Sequence, residues 1–526
     1  MSARLFLCLF TAAASLASGA RADTLLVPAE HASIQAAVLA AQDGDTVLVA
    51  PGTYLETLDF LGKAIEVTGT GGAELTILDA GGLDHGVRFV SGEGPDSVLR
   101  GFTVRNASTA PGSFGVYANG ASPTLRELVV RDNHIAGGGC LEFIRGGGIG
   151  LIDSAAQLSQ VTSRDNSVTT ACIESFAAGA GVFVEGASDV LLEDCELRAN
   201  LCAFGVPFGG GMCVAGGNAT LRRVCVLDNS RTGLFVDDFG TGPAPSVLLE
   251  ECRLELNGVD GSAGNGLSLT DGSAELRRCV IARNGVIGAE AGVGGTLLLD
   301  HCTTWGNGSA PVFALFFAPP PVLSHCIVWN GALSDGISGS ADVRSSIVQG
   351  GWPGEGNLDV DPLLRDPDTG DFRLLGGSPA IDAGDPAVAL DPDGSLSDLG
   401  AFVYEPWIDL GHALPDATSA PRLAGTGALR DDTPLELRLT QAEPGGVTQL
   451  VIGFATLDAP FHGGVLVPAP ALLVTARVDA LGEQLLRARW PAGSPSAFSV
   501  WVQHWLPSAS APLGFAASNA LVGTTP

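Results

Sequence analysis

Residues 191–200 read LLEDCELRAN, and residues 221–229 read LRRVCVLDN. Both stretches are short β-rich runs that end in asparagine. The pattern recurs at intervals of 23–34 residues, and its asparagines are Asn106, Asn133, Asn166, Asn200, Asn229, Asn257, Asn284, Asn307 and Asn330. Because each run is too short for a helix and is bounded by turn residues, each repeat is predicted to be one coil of short strands.

A second short run, led by glycine, follows most of these asparagines. Its copies begin at Gly115, Gly148, Gly181, Gly211, Gly233 and Gly266. One coil cannot bury its inner face, but stacked coils pair each strand with its equivalent in the next coil and build a continuous core. Asparagines at one fixed place would then form a ladder of amide hydrogen bonds. The repeats therefore predict an all-β fold, a parallel β-helix of about 10–12 coils.

The composition limits the class of protein. The 526 residues include 72 glycines, are 46% hydrophobic and carry a net charge of −30. This much apolar surface excludes a disordered acidic polymer, and glycine without a strict three-residue period excludes collagen. The strong negative charge disfavours nucleic acid and anionic lipid as partners. We expect a monomer that binds no nucleic acid.

The first 22 residues have the features of a secretory signal peptide. Arg4 precedes an apolar stretch at 5–17, and Ala20-Arg21-Ala22 is an A-x-A cleavage site. The apolar stretch is too short to be a membrane span. The sequence therefore predicts a protein that is secreted, periplasmic or located at the cell surface, without a membrane span.

The region before the repeats predicts a capping helix. Ser33 is a favourable N-cap for an alanine-rich helix over 33–41, which would cover the open end of the first coil. Residues 34–56 (IQAAVLAAQDGDTVLVAPGTYLE) and 64–72 (AIEVTGTGG), with the asparagine coils, resemble the pectin-lyase-like superfamily of right-handed parallel β-helices. The resemblance implies right-handed winding. That superfamily includes lyases, hydrolases, esterases and proteins without known catalysis.

Two further resemblances cover the rest of the chain. Residues 354–402 resemble the closing segment of many exported bacterial β-helix proteins, and the chain after about residue 406 resembles a C-terminal all-β module of exported planctomycete proteins. Alternating patterns within 434–526 predict a small antiparallel β-sandwich. We expect a signal peptide, a β-helix, a closing segment and a C-terminal module at 1–22, 23–356, 357–405 and 406–526.

The cysteines fall into two groups. Six precede the asparagines and are expected to stack inside the helix as a column of small apolar groups: Cys195, Cys225, Cys252, Cys279, Cys302 and Cys326. The other four are Cys140, Cys172, Cys202 and Cys213. An oxidising compartment would allow a disulfide between Cys140 and Cys172, with Cys202 and Cys213 as a second pair, although sequence alone leaves the pairing open.

Three long loops follow the asparagines of adjacent coils, at 134–147, 167–178 and 201–209. Such loops would wall a groove beside the helix, where aromatic faces suit sugar rings. The candidate substrate-binding residues are Phe143, Phe176, Phe204, Phe208 and Arg145. In the alternative interpretation these aromatic rings pack beneath their own loops.

Acidic residues recur where the glycine-led strands end. The candidate catalytic residues are Glu185, Asp237, Asp238 and Asp271. Acids on adjacent coils would lie about 5 Å apart and acids two coils apart about 10 Å. Glu185 and Asp237, two coils apart, would approach the spacing of an inverting glycosidase, and adjacent Asp237 and Asp271 that of a retaining one. In the alternative interpretation these are ordinary turn residues.

The sequence lacks motifs that would establish catalysis. Polygalacturonase-like members of the superfamily carry N-T-D, D-D, G-H-G and R-I-K signatures, of which only Asp237-Asp238 has a counterpart here, and the sole lysine, Lys63, is far from the long loops. We predict an exported, non-catalytic surface, adhesion or glycan-binding protein; the alternative is a polysaccharide lyase or glycoside hydrolase acting on an extracellular polysaccharide. No metal or cofactor is predicted, except that residues 391–394 (DPDG) are either a Ca²⁺ loop or an Asp-Gly turn.

Overall fold

The computed structural model describes residues 22–140, 142–170, 172, 174–203, 206–240, 244–259, 264–315, 317–331, 336–417, 419–511 and 513–526. The predicted signal peptide at 1–22 lies outside the described residues, apart from Ala22.

Stacked parallel strands form the three faces of a β-helix. One face is a twelve-stranded parallel sheet in which each strand pairs with the equivalent strand of the next coil. Its strands are Gly52–Leu55, Thr76–Asp79, Thr103–Arg105, Val129–Arg131, Thr162–Arg164, Glu196–Arg198, Cys225–Leu227, Arg253–Glu255, Val280–Ala282, Thr303–Trp305, Ile327–Trp329 and Ile347–Val348.

The other two faces form one 22-stranded sheet, because the long strands Leu267–Arg277 and Ile287–Asp300 run through both. The remaining strands of the glycine-led face are Leu58–Asp59, Val87–Phe89, Phe114–Asn119, Gly147–Ile152, Val182–Glu185, Met212–Ala215, Leu234–Val236, Ala310–Ala314 and Ile337–Ser338. The remaining strands of the third face are Thr24–Val27, Thr46–Val49, Glu66–Gly69, Val98–Arg100, Thr124–Arg126, Gln157–Ser159, Asp189–Glu193, Asn218–Arg222, Ser246–Glu250, Val322–Ser324 and Asp342–Arg344. The predicted right-handed parallel β-helix is confirmed.

A short helix, Ile34–Ala40, covers the first coil as predicted. The Ser33 hydroxyl accepts a hydrogen bond from the Ala36 N–H at 3.2 Å, which caps its N-terminus. At the other end the Lys63 ammonium donates to three backbone carbonyls at 2.7–2.8 Å and so caps the C-terminus. Among the described residues, no helix combines the length and apolar character needed to cross a membrane.

The asparagine ladder runs through the corner that follows the twelve-stranded sheet. Each side-chain amide donates to the Oδ1 atom of the next member at 2.9–3.1 Å, along Asn133, Asn166, Asn200, Asn229, Asn257, Asn284 and Asn307. All seven are buried. The two terminal copies do not continue this chain, because Asn106 donates to the Asp79 carboxylate and Asn330 donates to the Asn307 carbonyl.

The cysteine column forms with one exception. Cys195, Cys252, Cys279, Cys302 and Cys326 are buried free thiols in the core of the helix. Cys225 is only half-buried, and Val224 occupies the core position expected for Cys225. The prediction that Cys225 belongs to the column is therefore wrong. Cys225 lies instead in register with Glu196 and Arg253, on the outer side of its strand.

The segment after the last coil packs on the outside of the twelve-stranded sheet. It contains the antiparallel pair Leu364–Asp366 and Asp371–Leu374. Phe372 and Leu399 of this segment share an apolar cluster with Val280 and Ile327 of the helix.

The C-terminal region consists of antiparallel sheets, as predicted for a β-sandwich. The six-stranded sheet contains Trp407–Gly411, Val447–Gly453, Leu472–Arg477, Ser499–Pro507, Phe515–Ala517 and Ala520–Thr524. The smaller sheets contain Arg422–Thr426, Pro434–Thr440 and Gln484–Arg489, and the pair Thr456–Phe461 and Gly464–Pro468. Leu423 and Leu437 of the three-stranded sheet pack against Leu450 and Val502 of the six-stranded sheet, which gives this region its own core.

Candidate functional site

The three long loops form two small parallel sheets, here called the side sheets. One contains His134–Gly137, Ser167–Thr170 and Leu201–Ala203, and the other contains Phe143–Arg145, Phe176–Ala178 and Val206–Phe208. Ile135, Ile144, Val168, Ala177 and Cys202 belong to the buried cluster in this region. The loops therefore stack with the same parallel pairing as the coils that carry them, which gives their aromatic residues fixed positions.

Only one of the two cysteine pairs is bonded. A disulfide joins Cys140 to Cys172, with a Cα–Cα distance of 5.2 Å. Cys202 and Cys213 are buried free thiols, so the second pair considered from the sequence is wrong. The reason is that Cys202 lies in the side-sheet core whereas Cys213 lies in a different cluster with Phe183 and Phe235. Burial raises the pKa of the Cys202 thiol to about 12, so it remains protonated at neutral pH.

The second side sheet carries an array of aromatic rings against the glycine-led face. The ring centroids of Phe143 and Phe176 are 6.4 Å apart, and those of Phe176 and Phe208 are 5.7 Å apart. Phe143 and Phe176 remain 38% and 37% exposed, so these two rings are accessible to a ligand. Phe204, the fourth predicted aromatic residue, lies outside the described residues.

Three further phenylalanines join this array. Phe183 and Phe235 are buried on the glycine-led face, and Phe239 lies in the turn beyond it. Phe208 contacts the Phe235 ring at a centroid distance of 4.5 Å, and Phe239 packs edge-on against Phe143 at 5.1 Å. The six residues Phe143, Phe176, Phe183, Phe208, Phe235 and Phe239 are called the aromatic face below.

Sequence reasoning missed Phe183, Phe235 and Phe239, although a signal for two of them existed. Phe183 and Phe235 occupy the same position in the glycine-led runs GVFVEG and GLFVDD. The strand register confirms that Phe183, Cys213 and Phe235 lie opposite one another on successive coils.

Charged residues border the aromatic face. Arg145 of the side sheet forms an ion pair with Glu185, and its guanidinium carbon lies 6.0 Å from the centroid of the Phe183 ring. Glu185 lies opposite Ala215 in the next coil, and the following coil continues this register to Asp237. Glu185 and Asp237 are therefore two coils apart, which corresponds to about 10 Å between backbones.

The three aspartates differ in their surroundings. Partial burial is the main cause that raises the pKa of Asp237, and the neighbouring charges of Asp238 and Asp271 act in the same direction. The Asp238 carboxylate accepts the Gly240 N–H at 2.6 Å, and the Asp271 carboxylate accepts the Gly272 N–H at 2.7 Å. Those two hydrogen bonds are typical of turn residues.

Asp271 is one residue away from its expected register. Val236 pairs with Leu269, so the residue that follows, Asp237, lies beside Thr270 rather than Asp271. In the pairing with the next coil, a bulge between Leu269 and Asp271 shifts the register by one residue, so that Asp271 lies opposite Gly294. The prediction that Asp237 and Asp271 lie opposite each other on adjacent coils is therefore wrong.

The acidic side chains of the turn at 391–394 bond to backbone groups of the same segment and, at Asp391, to one arginine of the β-helix. The Asp391 carboxylate is buried and accepts the Asp398 N–H at 2.8 Å, and the Asp393 carboxylate accepts the Ser395 N–H at 3.0 Å. The Gly394 N–H donates to the Asp391 carbonyl at 2.8 Å. The bonds of Asp393 and Gly394 are those of an Asp-Gly turn. The Asp391 carboxylate also lies 3.4 Å from the Arg278 guanidinium of the β-helix.

Right-handed β-helix proteins are the class to which this architecture corresponds, and residues 114–285 match the family model described as a right handed beta helix region. The enzymatically active domain of tailspike protein 2 of bacteriophage CBA120 is similar at 10% identity and a TM-score of 0.36, over 96% of this chain and 76% of that chain. The alginate lyase from Paenibacillus sp. str. FPU-7 is similar at 13% identity and a TM-score of 0.33, over 61% of this chain and 97% of that chain. No curated protein sequence matches the chain.

Proposed function

We propose that this chain is an exported β-helix protein that binds a neutral glycan on the aromatic face. The observation that carries the proposal is the row of Phe143, Phe176 and Phe208 rings, held by stacked side sheets and bordered by charged side chains. Aromatic rings offer flat apolar surfaces to the C–H faces of sugar rings, while nearby carboxylates accept hydrogen bonds from sugar hydroxyls. The signal peptide predicted from residues 1–22 and the Cys140–Cys172 disulfide support an oxidising compartment outside the cytoplasm.

Charge favours a neutral glycan over a polyanionic one. The chain carries a net charge of −30. Glu185 pairs with Arg145 beside the Phe183 ring, and Asp237 and Asp238 lie between Phe235 and Phe239 in the sequence. Arg145 is paired with Glu185 and so supplies little free positive charge. A polyanion would approach against this potential, whereas a neutral sugar would not.

Replacing both exposed rings should weaken glycan binding. We expect Phe143→Ala combined with Phe176→Ala to raise the Kd for a bound neutral polysaccharide about tenfold or more, since each lost ring contact is worth about 0.5–1.5 kcal/mol. Calorimetry on the ligand selected from a panel of neutral and anionic polysaccharides provides the measurement.

Phe454→Ala is the matched control, because Phe454 is 60% exposed and contacts Phe498 in the C-terminal sheets. Its Kd should equal that of the unaltered chain. Equal affinity of the double variant and the unaltered chain, or equal loss in the control, would contradict the assignment of binding to the aromatic face.

Glycoside hydrolysis is the second candidate, and the environment of Asp237 favours it. A raised pKa suits a carboxyl group that donates a proton to a leaving group. Glu185, in register two coils away, is the corresponding candidate base. Inverting glycosidases in general hold their two carboxyl groups about 6.5–9.5 Å apart.

This candidate has its own test. If the chain releases reducing ends from a polysaccharide, Asp237→Asn should lower kcat by about 10²–10⁴-fold, because asparagine cannot donate the proton. Asp189→Asn serves as control, since Asp189 is an exposed carboxylate on the third face of the helix. Unchanged release by the Asp237 variant would exclude this residue as the acid.

A further inference from the structure

Two histidines lie one above the other near the last coils, away from the aromatic face. His301 follows the strand Ile287–Asp300, and His325 follows Val322–Ser324 in the next coil. Both have left-handed backbone conformations, with φ of 50° and 55°, so they occupy the same corner of successive coils. Their rings are nearly parallel, with centroids 4.5 Å apart and planes inclined by 20°.

One carboxylate joins the two imidazoles. The Asp300 Oδ2 atom lies 3.1 Å from His301 Nδ1, and the Asp300 Oδ1 atom lies 3.0 Å from His325 Nδ1. The Ser324 hydroxyl donates to Oδ1 at 2.7 Å and helps to orient the carboxylate. One ligand atom from each of Asp300, His301 and His325 lies within 4.8 Å of the others. The two N···O distances are close to the edge of about 3.3 Å expected between ligands in a tetrahedral zinc site.

Hydrogen bonds account for only one of the two ring nitrogens in each imidazole. His301 and His325 are 8% and 4% exposed, and the Nε2 atom of each is buried with no hydrogen-bond partner among the described residues. Burying an imidazole nitrogen without a partner costs free energy, so two such rings at successive corners require another stabilising interaction. A cation ligated through the two Nδ1 atoms would offset this cost with two ligand bonds, while each Nε2 atom would carry the ring proton and stay unpaired.

The ligand chemistry selects the type of cation. Two imidazole nitrogens and one carboxylate suit Zn²⁺, Co²⁺ or Ni²⁺, whereas Ca²⁺ and Mg²⁺ require a shell of oxygen ligands. Three protein ligands leave a further coordination position open. The Asp300 side chain is 44% exposed, and Asp300 and His301 line a cleft of about 460 Å³, so water can reach that position.

We propose that Asp300, His301 and His325 form a binding site for one divalent cation of the Zn²⁺ class. Such a cation would link two successive coils of the helix. It would also hold the segment that follows the coils, because the Gly400 N–H donates to the His325 carbonyl at 2.8 Å. Binding should therefore raise the thermal stability of the chain.

Thermal denaturation of the tag-free chain, treated with a chelator and then dialysed, tests the proposal. With ZnCl₂ at about 100 times its Kd we expect the Tm to rise by about 3–5 °C. The rise should be absent in His301→Asn and in His325→Asn, because asparagine tolerates the left-handed conformation but removes the imidazole ligand. CaCl₂ at the same concentration should leave the Tm unchanged.

His412→Asn is the matched control, since His412 is exposed and also has a left-handed φ, of 66°. It should retain the full response to Zn²⁺. The proposal is overturned if Zn²⁺ does not change the Tm of the unaltered chain, or if either ligand variant responds as the control does. Should the ligand variants fail to fold, anomalous scattering from crystals of the unaltered chain grown with Zn²⁺ decides, and a peak at any other place overturns the assignment.

Discussion

Asn229→Ala is expected to lower the free energy of unfolding by about 4 kcal/mol, because one substitution leaves several buried groups without partners. The Asn229 amide donates to the Leu197 carbonyl at 2.8 Å and to Asn257 Oδ1 at 3.1 Å. Its own Oδ1 atom accepts the backbone N–H and the side-chain amide of Asn200 at 3.0 and 3.1 Å. Alanine removes all four bonds at a position that is 1% exposed.

Urea denaturation followed by circular dichroism measures this effect. Asn119→Ala is the control, because Asn119 is exposed and bonds only to the Tyr117 hydroxyl among the contacts described. We expect the control to change the free energy of unfolding by less than about 0.5 kcal/mol. A similarly small change in the Asn229 variant would show that the ladder does not stabilise the helix.

The ladder could be predicted from the sequence because the same side chain returns once per coil. The recurring asparagine can be recognised without knowing the loop lengths, because insertions lie in loops outside the stacked positions. The capping helix was likewise predictable, because Ser33 and the alanines after it carry local signals.

One-residue shifts within a repeat were beyond sequence reasoning. Cys225 precedes Asn229 by four residues, as Cys326 precedes Asn330, whereas Cys195 precedes Asn200 by five. In the coil of Cys225, Asn229 belongs to the ladder and the cysteine lies outside the buried column. In the coil of Cys326, the cysteine belongs to the column and Asn330 lies outside the ladder. The four-residue spacing between cysteine and asparagine indicates that one of the two is out of its usual position. Packing in the core determines which one it is.

The aromatic face and the histidine pair each combine residues from different coils. Amino-acid composition does not indicate which coils lie next to each other. Phe143 and Phe176 were predicted to line one groove because their loops follow adjacent coils, and their strands do pair in register. The histidine pair had a visible signal, DHC at 300–302 and SHC at 324–326, at equivalent positions of successive repeats. A search for closely spaced cysteine ligands overlooks a pair separated by a whole coil.

Adding one methyl group to the glycine-led strands should be nearly as disruptive as removing a ladder asparagine. Glycines at or just before the start of these strands face the ladder: Gly115, Gly148, Gly181, Gly211, Gly233, Gly266 and Gly288. A Cβ atom on Gly181 would collide with the Gly211 carbonyl oxygen and lie 2.8 Å from the Asn200 amide nitrogen. The Gly211 carbonyl accepts the Val182 N–H at 3.0 Å, and the Asn200 amide donates to Asn229 Oδ1 at 3.1 Å. Neither neighbour can therefore move without breaking a strand bond or a ladder bond.

Gly181→Ala is therefore expected to lower the free energy of unfolding by about 3 kcal/mol, measured by the same urea denaturation. Gly94→Ala is the matched control, since a Cβ atom there meets nothing within 4 Å and Gly94 has no left-handed φ. In the control, alanine should leave the stability unchanged or raise it slightly, by up to about 1 kcal/mol, because it reduces the entropy of the unfolded chain. Equal stability of the two variants would mean that the coils can separate enough to admit a side chain, which their paired strands and buried amides oppose.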